Sequence, residues 1–535
     1  MKIARKLAVV ALLWLIFVNP GTITSIDTVR RLSISHAWWA GTEESFPGNK
    51  IVINVNGNNY IPYDLGQSIL MLPGDWLGEQ LGKGIDNKLI KEHFRETVVS
   101  FLIFIPLNLL AVITCFRFLR LLDYSPKVAG LSSLIWLIGT SILFYCSFHQ
   151  QNNQVLLFVL LSYQAALMYL TKSKKHWAVL SGAALGFAFL IRITNVLYVA
   201  SVLTFLVGYI ISQRKVGSIA KGFYSALLWM SGFIPFVFLE RMLTYIRYGS
   251  WTTTTVSLHL QIYNKAGELV DPVNAAVAGT TKSFVFLKLL TKVKPEALLA
   301  PFISPAKSIF LYDPLTLPCL ILLIICWKYL SNYIKWYAIA ATVGFLLHVY
   351  IYSWNTGWID QGAWGARYHI TSLHLLLVPL IPLLVRGAIQ QIELRQKLFK
   401  KMLIWSSRAI IVLAIGLQLS SITIDGGVEA YQKQLGIGSS LRIAQRFNNI
   451  SSLLVDGSVR SNIENIPESL DAERVAFVEH QIQARSGWNI LPFLYQKKLE
   501  KSSLSRLIPL LIALWSAIFI AAVGSTIWMF VKYYP

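Results

Sequence analysis

Ser25-Ile26-Asp27-Thr28-Val29-Arg30-Arg31 follows closely on the apolar run Leu7 to Val18, and the reading of this junction decides the fold. The run is preceded by Lys2, Arg5 and Lys6, the pattern of a signal peptide, but no small-x-small cleavage site follows it. An uncleaved anchor helix with its N-terminus inside is therefore expected, which puts Asp27 where the chain leaves the membrane. Ser25 is placed to cap a helix whose stripe is Ile26, Val29, Leu32, His36 and Trp39, with Gly41 ending it. This reads as an interfacial helix with Trp38 and Trp39 at headgroup depth. Lys50 to Tyr63, with Asn56-Gly57 between alternating apolar residues, predicts a small hairpin. A second amphipathic helix is expected from Leu65, capped by Asp64 and broken at Pro73 and Gly74.

Working outward, the composition sets the class. Of 535 residues 55% are hydrophobic and only 14% charged, so a soluble globular chain is excluded. Further apolar spans are expected near 97–116, 128–147, 154–171, 177–191, 195–212, 222–239, 309–327, 336–353, 370–385, 402–422 and 506–531. That predicts an all-α polytopic membrane protein with about twelve transmembrane helices and interfacial helices in its first extracytoplasmic loop. The net charge of +22 invites a nucleic-acid reading, but the basic residues are scattered among membrane-flanking loops, so no nucleic-acid partner is expected. Arg117, Arg120, Lys127, Lys172, Lys174, Lys175, Arg214, Lys215, Lys328, Lys335 and Lys397 fall in segments assigned inside. The short segments assigned outside hold only Arg192 and Arg367, two exceptions to the positive-inside bias that mark candidate functional groups. Both termini are then cytoplasmic. Cys115, Cys146, Cys319 and Cys326 lie in or at the ends of apolar spans, which suggests neither a disulfide framework nor a metal cluster.

Three long outer segments remain. The core is expected over 1–422, including the outer loops 25–95 and 240–308; 423–504 reads as an extracytoplasmic loop or small helical cap, and 505–535 as the last span with a cytoplasmic tail. Asn449-Ile450-Ser451 fits a glycosylation sequon, a triplet common by chance.

Four stretches in this order resemble one family. They are Ser25 to Arg31; Tyr60-Ile61-Pro62-Tyr63-Asp64-Leu65-Gly66-Gln67-Ser68; Ser304-Pro305-Ala306-Lys307-Ser308-Ile309-Phe310-Leu311-Tyr312-Asp313-Pro314-Leu315; and Gly362-Ala363-Trp364-Gly365-Ala366-Arg367-Tyr368. A weaker fifth ends in Leu190-Ile191-Arg192-Ile193-Thr194. Over roughly residues 1 to 385 the chain resembles the GT-C superfamily of integral membrane glycosyltransferases, near the group that includes protein O-mannosyltransferases and the lipid A aminoarabinose transferases. The chain departs from that pattern at Ala366, where Pro is frequent, at Lys307-Ser308, where Arg-Gly is, and at Asp64, where Gly is.

The resemblance implies a bacterial plasma (inner) membrane enzyme that transfers a sugar from a polyprenyl-phosphate donor, on the extracytoplasmic side, to a lipid, glycan or protein acceptor among membrane lipids. Such a displacement passes through an oxocarbenium-like state and needs a base for the attacking hydroxyl and cations for the departing phosphate. Asp27 is the expected base, its pKa raised above about 3.9 by partial burial. Arg192, Lys307 and Arg367 are expected to converge on the phosphate, Arg367 in a bidentate way. Tyr63, Asp64, Gln67, Tyr312, Tyr368 and His369 are candidates for substrate contact. One carboxylate and a single displacement predict inversion. With cations supplied by side chains no metal or other cofactor is obligatory, and a divalent metal stays open. Two dull readings compete: Asp27 pairing with Arg31 one turn on, and interfacial tyrosines acting only as an aromatic belt. The alternative function is a transporter or flippase of lipid-linked sugars, although no repeated halves are visible.

Overall fold

The computed structural model describes residues 2–41, 53–55, 58–214, 216–255, 293–359, 362–389, 397–459, 471–499 and 503–533. The described chain is helical apart from one antiparallel hairpin, Ile53–Val55 with Asn58–Tyr60, in which Val55 pairs with Asn58; Asn56-Gly57, expected at its turn, lie outside the described residues. Isolated two-stranded hairpins are marginal, and Tyr60 packs edge-on against Tyr248 at 5.9 Å with the Arg247 guanidinium over its ring.

The first helix, α1 (Lys2–Val18), buries Leu7, Val10, Ala11, Trp14, Leu15 and Val18, the stripe that a spacing of three and four residues dictates. This stripe packs on α5 (Ile105–Leu121), on α6 (Pro126–Ile138) and on the last helix, Ile508–Tyr533. Trp14 also donates its indole N–H to Thr526 Oγ1 at 2.9 Å. Then come α7 (Ile142–Phe148), α8 (Asn152–Lys172), α9 (Lys175–Ile191), α10 (Leu197–Ser212) and α11 (Ser218–Tyr248). The helix α11 outruns its expected end at 239 by nine residues, so part of what was read as outer loop continues the helix.

Among the described residues seven helices are long and apolar enough to cross a membrane, or nine if the bent pairs 126–148 and 370–388 each count as one span. The expected twelve is not reached by that measure. The shortfall lies in α1 and in the shorter apolar helices Lys175–Ile191 and Thr316–Tyr329, where 17 residues or fewer leave a span short of the usual length. The architecture is that of an all-α integral membrane protein.

Over one end of the bundle lie α2 (Ile26–Ala40), α3 (Gly66–Leu81) and α4 (Lys88–Val99). Ser25 holds the N-cap position of α2, but its side chain makes no capping bond. Gly41 ends α2 at φ +108°, a conformation open to glycine. The expected break at Pro73-Gly74 does not occur, and α3 runs through both residues. Gly74 serves close packing instead: a Cβ there would stand 2.8 Å from Ile103. The three helices are tied by Asp75, fully buried, which takes Arg95 Nε at 2.9 Å, Trp39 Nε1 at 3.0 Å and His36 Nδ1 at 3.2 Å. His36 and Trp39 thus hold the loop together.

Past the bundle, helices Val428–Gln434, Arg442–Val455 and Ala472–Arg485 pack around Ile424, Val428, Leu435, Leu453, Val475, Val478 and Ile482. Asn449 is buried here, exchanging hydrogen bonds with Gln432, so its amide is not offered to a surface modification.

Candidate active site

Asp27 sits in the first turn of α2, where a carboxylate suits the helix dipole. Its tertiary partner is Arg367, whose Nη2 lies 2.5 Å from Asp27 Oδ2 although 340 residues separate them in sequence. Both side chains are largely buried, 17% and 19% exposed. The Tyr63 hydroxyl donates to Asp27 Oδ1 at 2.8 Å and accepts from Arg30 Nη1 at 2.8 Å. Arg31 lies over the Tyr63 ring at 4.5 Å and donates to the Asp27 backbone carbonyl, not to its carboxylate. The competing reading of Asp27 as a partner for Arg31 one turn on is replaced by a tertiary pair.

Local backbone explains how these groups meet. His149, between α7 and α8, adopts φ +55°, uncommon for a residue with a side chain. Its carbonyl accepts from Thr28 Oγ1 at 2.9 Å and from Gln67 Nε2 at 3.3 Å, tying α2 and α3 to this turn. Gln150 follows, its amide within 3.3 Å of Asp27 Oδ2 in one orientation and 3.1 Å of Arg367 in the other. Asn152 Nδ2 holds the Arg367 carbonyl at 2.8 Å. Gly66 lets α3 seat on the α9 end, since a Cβ there would stand 2.4 Å from the Ile191 nitrogen.

That contact brings in Arg192, an extended residue ending α9. Its Nη2 donates to the Tyr352 hydroxyl at 2.7 Å, and its guanidinium lies 4.8 Å from the Tyr368 ring centre. Tyr352 and Tyr368 stack at 4.5 Å, with Arg367 5.1 Å from the Tyr368 ring centre. Both guanidiniums therefore lie against Tyr368 of one stacked tyrosine pair. A crevice of about 10 Å³, room for roughly one water, lies between Arg192, Asn152, Thr194, Tyr198, His348 and Tyr368 beside them.

The remaining candidates sit elsewhere. Lys307 is buried and donates to the Ala363 carbonyl at 2.5 Å, a carbonyl that also accepts from Arg442 Nη1 at 2.9 Å. Lys307 therefore braces the segment that carries Arg367 rather than standing next to Asp27. Tyr312 is buried edge-on against Trp364 at 4.9 Å, with its hydroxyl donating to the Pro305 carbonyl. It serves packing. His369 packs on Trp358 at 4.9 Å, and neither ring nitrogen finds a hydrogen-bond partner among the described residues. Asp64 does not cap α3, which starts from Leu65 with no side-chain cap; its carboxylate accepts from Thr255 Oγ1 at 2.7 Å and from the Ile193 N–H at 3.4 Å. Among the described residues no group of three His, Cys, Asp or Glu could hold a metal.

The electrostatics reverse one expectation. Burial does push the Asp27 carboxyl up, but Arg367, Arg31, the Tyr63 hydrogen bond and Arg30 together outweigh it and hold the group well below the usual carboxylate range. Asp64 goes the other way, pushed up to about 6 by burial, with Thr255 opposing and Glu240 adding to the rise. Arg30, Gln150 and Tyr352 carry no sequence signal of their own, and Arg31 offers only its i+4 spacing from Asp27. The buried run His149-Gln150-Gln151-Asn152-Asn153-Gln154, six polar residues between two apolar helices, was the available signal.

Residues 89–239 match the family model described as dolichyl-phosphate-mannose-protein mannosyltransferase. That stretch of the chain is thus similar to the GT-C membrane glycosyltransferases. The matched segment holds Gln150, Asn152 and Arg192, whereas Asp27 and Arg367 lie on either side of it. No curated protein matches. A solved structure, ArnT from Cupriavidus metallidurans bound to undecaprenyl phosphate, aligns with 99% of this chain and 76% of its own at 14% identity and a TM-score of 0.42, a likeness too slight to inform the site.

Proposed function

We propose that this membrane glycosyltransferase moves a sugar from a polyprenyl-phosphate donor to an acceptor hydroxyl on the extracytoplasmic face of the plasma membrane, with both termini cytoplasmic. The observation that carries this is the 2.5 Å approach of Asp27 to Arg367 within a ring of cations. One carboxylate faces Arg30, Arg31 and Arg367, with Arg192 beyond them, so the pocket carries more positive charge than Asp27 neutralises. An anion of the phosphate class fits that surplus. Arg367 and Arg192, both beside the Tyr352–Tyr368 stack, are the cations for the donor phosphate.

The strong hold of Arg367 on Asp27 makes the resting carboxylate a poor base. A donor phosphate competing for Arg367 would loosen that hold and raise the proton affinity of Asp27, so base strength would appear with the donor in place. Asp27 then takes the proton of the acceptor hydroxyl as its oxygen forms the bond to the anomeric carbon. The bond from that carbon to the phosphate oxygen breaks, its electron pair leaves with the polyprenyl phosphate, and Arg367 and Arg192 stabilise the charge. Attack from one face with departure from the other inverts the anomeric centre. Tyr63, which holds Asp27 Oδ1, orients the base, and Tyr368 lines the crevice beside the two arginines.

The test supplies purified wild type and Asp27→Asn with radiolabelled polyprenyl-phosphate sugars and an extract of candidate acceptors. Transfer by wild type and a loss of about 10²–10⁴-fold in the variant are expected. Undiminished transfer by Asp27→Asn, or label that crosses a proteoliposome membrane without forming a new bond, refutes the assignment.

A further inference from the structure

A second feature stands apart from Asp27 and its ring. Between α1, α6, the helix Ile381–Ala388, the helix Lys397–Ile422 and the last helix lies a groove of about 760 Å³. One wall is Arg408, Ile411, Val412, Ile415 and Leu419, a single face at helical spacing. The facing wall is Val523, Thr526, Ile527, Phe530 and Val531, and Trp14 and Ile138 close the floor. Val412 is 70% exposed, Ile527 57% and Val531 67%, so the groove opens sideways, out of the bundle.

Three properties select its occupant. The two long walls belong to apolar helices able to cross a membrane, so the groove opens onto hydrocarbon. From Arg408 to Leu419 it runs roughly 16 Å at about 1.5 Å per residue, close to half of a hydrocarbon core about 30 Å thick, which suits a chain from one leaflet better than a spanning helix or a long polyprenyl tail. Its polar end is a cation: Arg408, inside an apolar span, donates to the Ala388 carbonyl at 3.3 Å and lies over Trp405. Lys6 and Lys532 meet over Trp528 on the same basic side of the bundle, at 4.3 and 4.9 Å from its ring centre. Basic groups beside an apolar slot between spans are the arrangement that recognises anionic headgroups.

We infer that this groove binds one acyl chain of an anionic glycerophospholipid, with its phosphate at Arg408, in the leaflet on the Lys6 and Lys532 side. The site is independent of the transferase reading, because no residue around Asp27 lines it.

The full-length chain, purified and delipidated in detergent, is titrated with phosphatidylglycerol or phosphatidylcholine of identical chains. Bound lipid is read by native mass spectrometry and stability by thermal melting. Wild type is expected to retain one phosphatidylglycerol and to bind it about tenfold more tightly than phosphatidylcholine, the difference of one charge-assisted contact. Arg408→Gln keeps a lipid but loses the headgroup preference. Val412→Trp, which fills the slot, loses both lipids, and Ile527→Trp does the same from the other wall should the first variant fold poorly. Equal affinity of wild type for the two lipids overturns the proposal. So does full lipid retention by both tryptophan variants, displacement of phosphatidylglycerol by equimolar polyprenyl phosphate, or a dimer that buries Val412.

Discussion

Two buried carboxylate–arginine clusters in this molecule look alike on a list of ion pairs and differ in how their charge is met. In the cap, Glu429 takes Arg446 Nε at 2.5 Å and Arg442 Nη2 at 3.4 Å. The rest of those guanidiniums goes to backbone: Arg446 donates to the carbonyls of Ile424 and Ser421, and Arg442 to those of Gly362, Ala363 and Gly426. Protein groups absorb the positive charge there, and the cluster pins the cap to the segment that presents Arg367. Around Asp27, three arginines converge on one carboxylate, and a fourth, Arg192, is shared with tyrosines. A cluster closed by carbonyls is built to hold structure; one left with a surplus of cations is built to receive an anion.

The sharpest way to break this contrast is to neutralise each acid. Glu429→Gln strands two buried arginines and should cost about 3–5 kcal/mol of stability, read as a lowered melting temperature in detergent, with transfer activity falling only as folded protein is lost. Asp27→Asn should show the opposite pattern, with activity gone and melting changed far less, because Arg30 keeps its bond to the Tyr63 hydroxyl, Arg31 its bond to a backbone carbonyl, and Arg367 some access to solvent. Similar melting losses for the two variants would erase the distinction. Arg367→Lys sharpens it further: a point charge replaces a fork that holds Asp27 and, in the proposed mechanism, the donor phosphate, and transfer should fall by about tenfold to a hundredfold at constant stability. The smallest effect concerns Asp64. Its carboxyl is pushed up to about 6 in the fold, so between roughly pH 4 and 6 the folded chain binds more protons than the unfolded one and stability declines as pH rises through that window. Asp64→Asn should flatten the decline, giving a melting temperature above wild type at pH 7 and close to it at pH 4. Parallel profiles for the two proteins would show that Asp64 is not the group responsible.

Much of this was legible in the chain. The apolar runs, the hairpin at Asn56-Gly57, and Asp27, Arg192 and Arg367 as isolated charges at span ends all follow from local pattern. The misreadings share one cause. Pro73-Gly74 looked like a helix end because the packing partner that makes Gly74 useful, Ile103, is not local. Asp64 looked like a cap because Thr255, 191 residues away, was invisible. Lys307 looked like a phosphate ligand because its position in the motif says nothing of the Ala363 carbonyl that receives it.

The sequence by itself determined that the chain enters a membrane many times and which few charges survive at the ends of its spans, since hydrocarbon tolerates so few polar groups that each exception stands out. Only the tertiary structure decided the ionisation of those charges. A pKa depends on every group within several ångströms, and Asp27 acquires Arg367 from 340 residues away, so the direction of its shift was set by a contact that no local window contains.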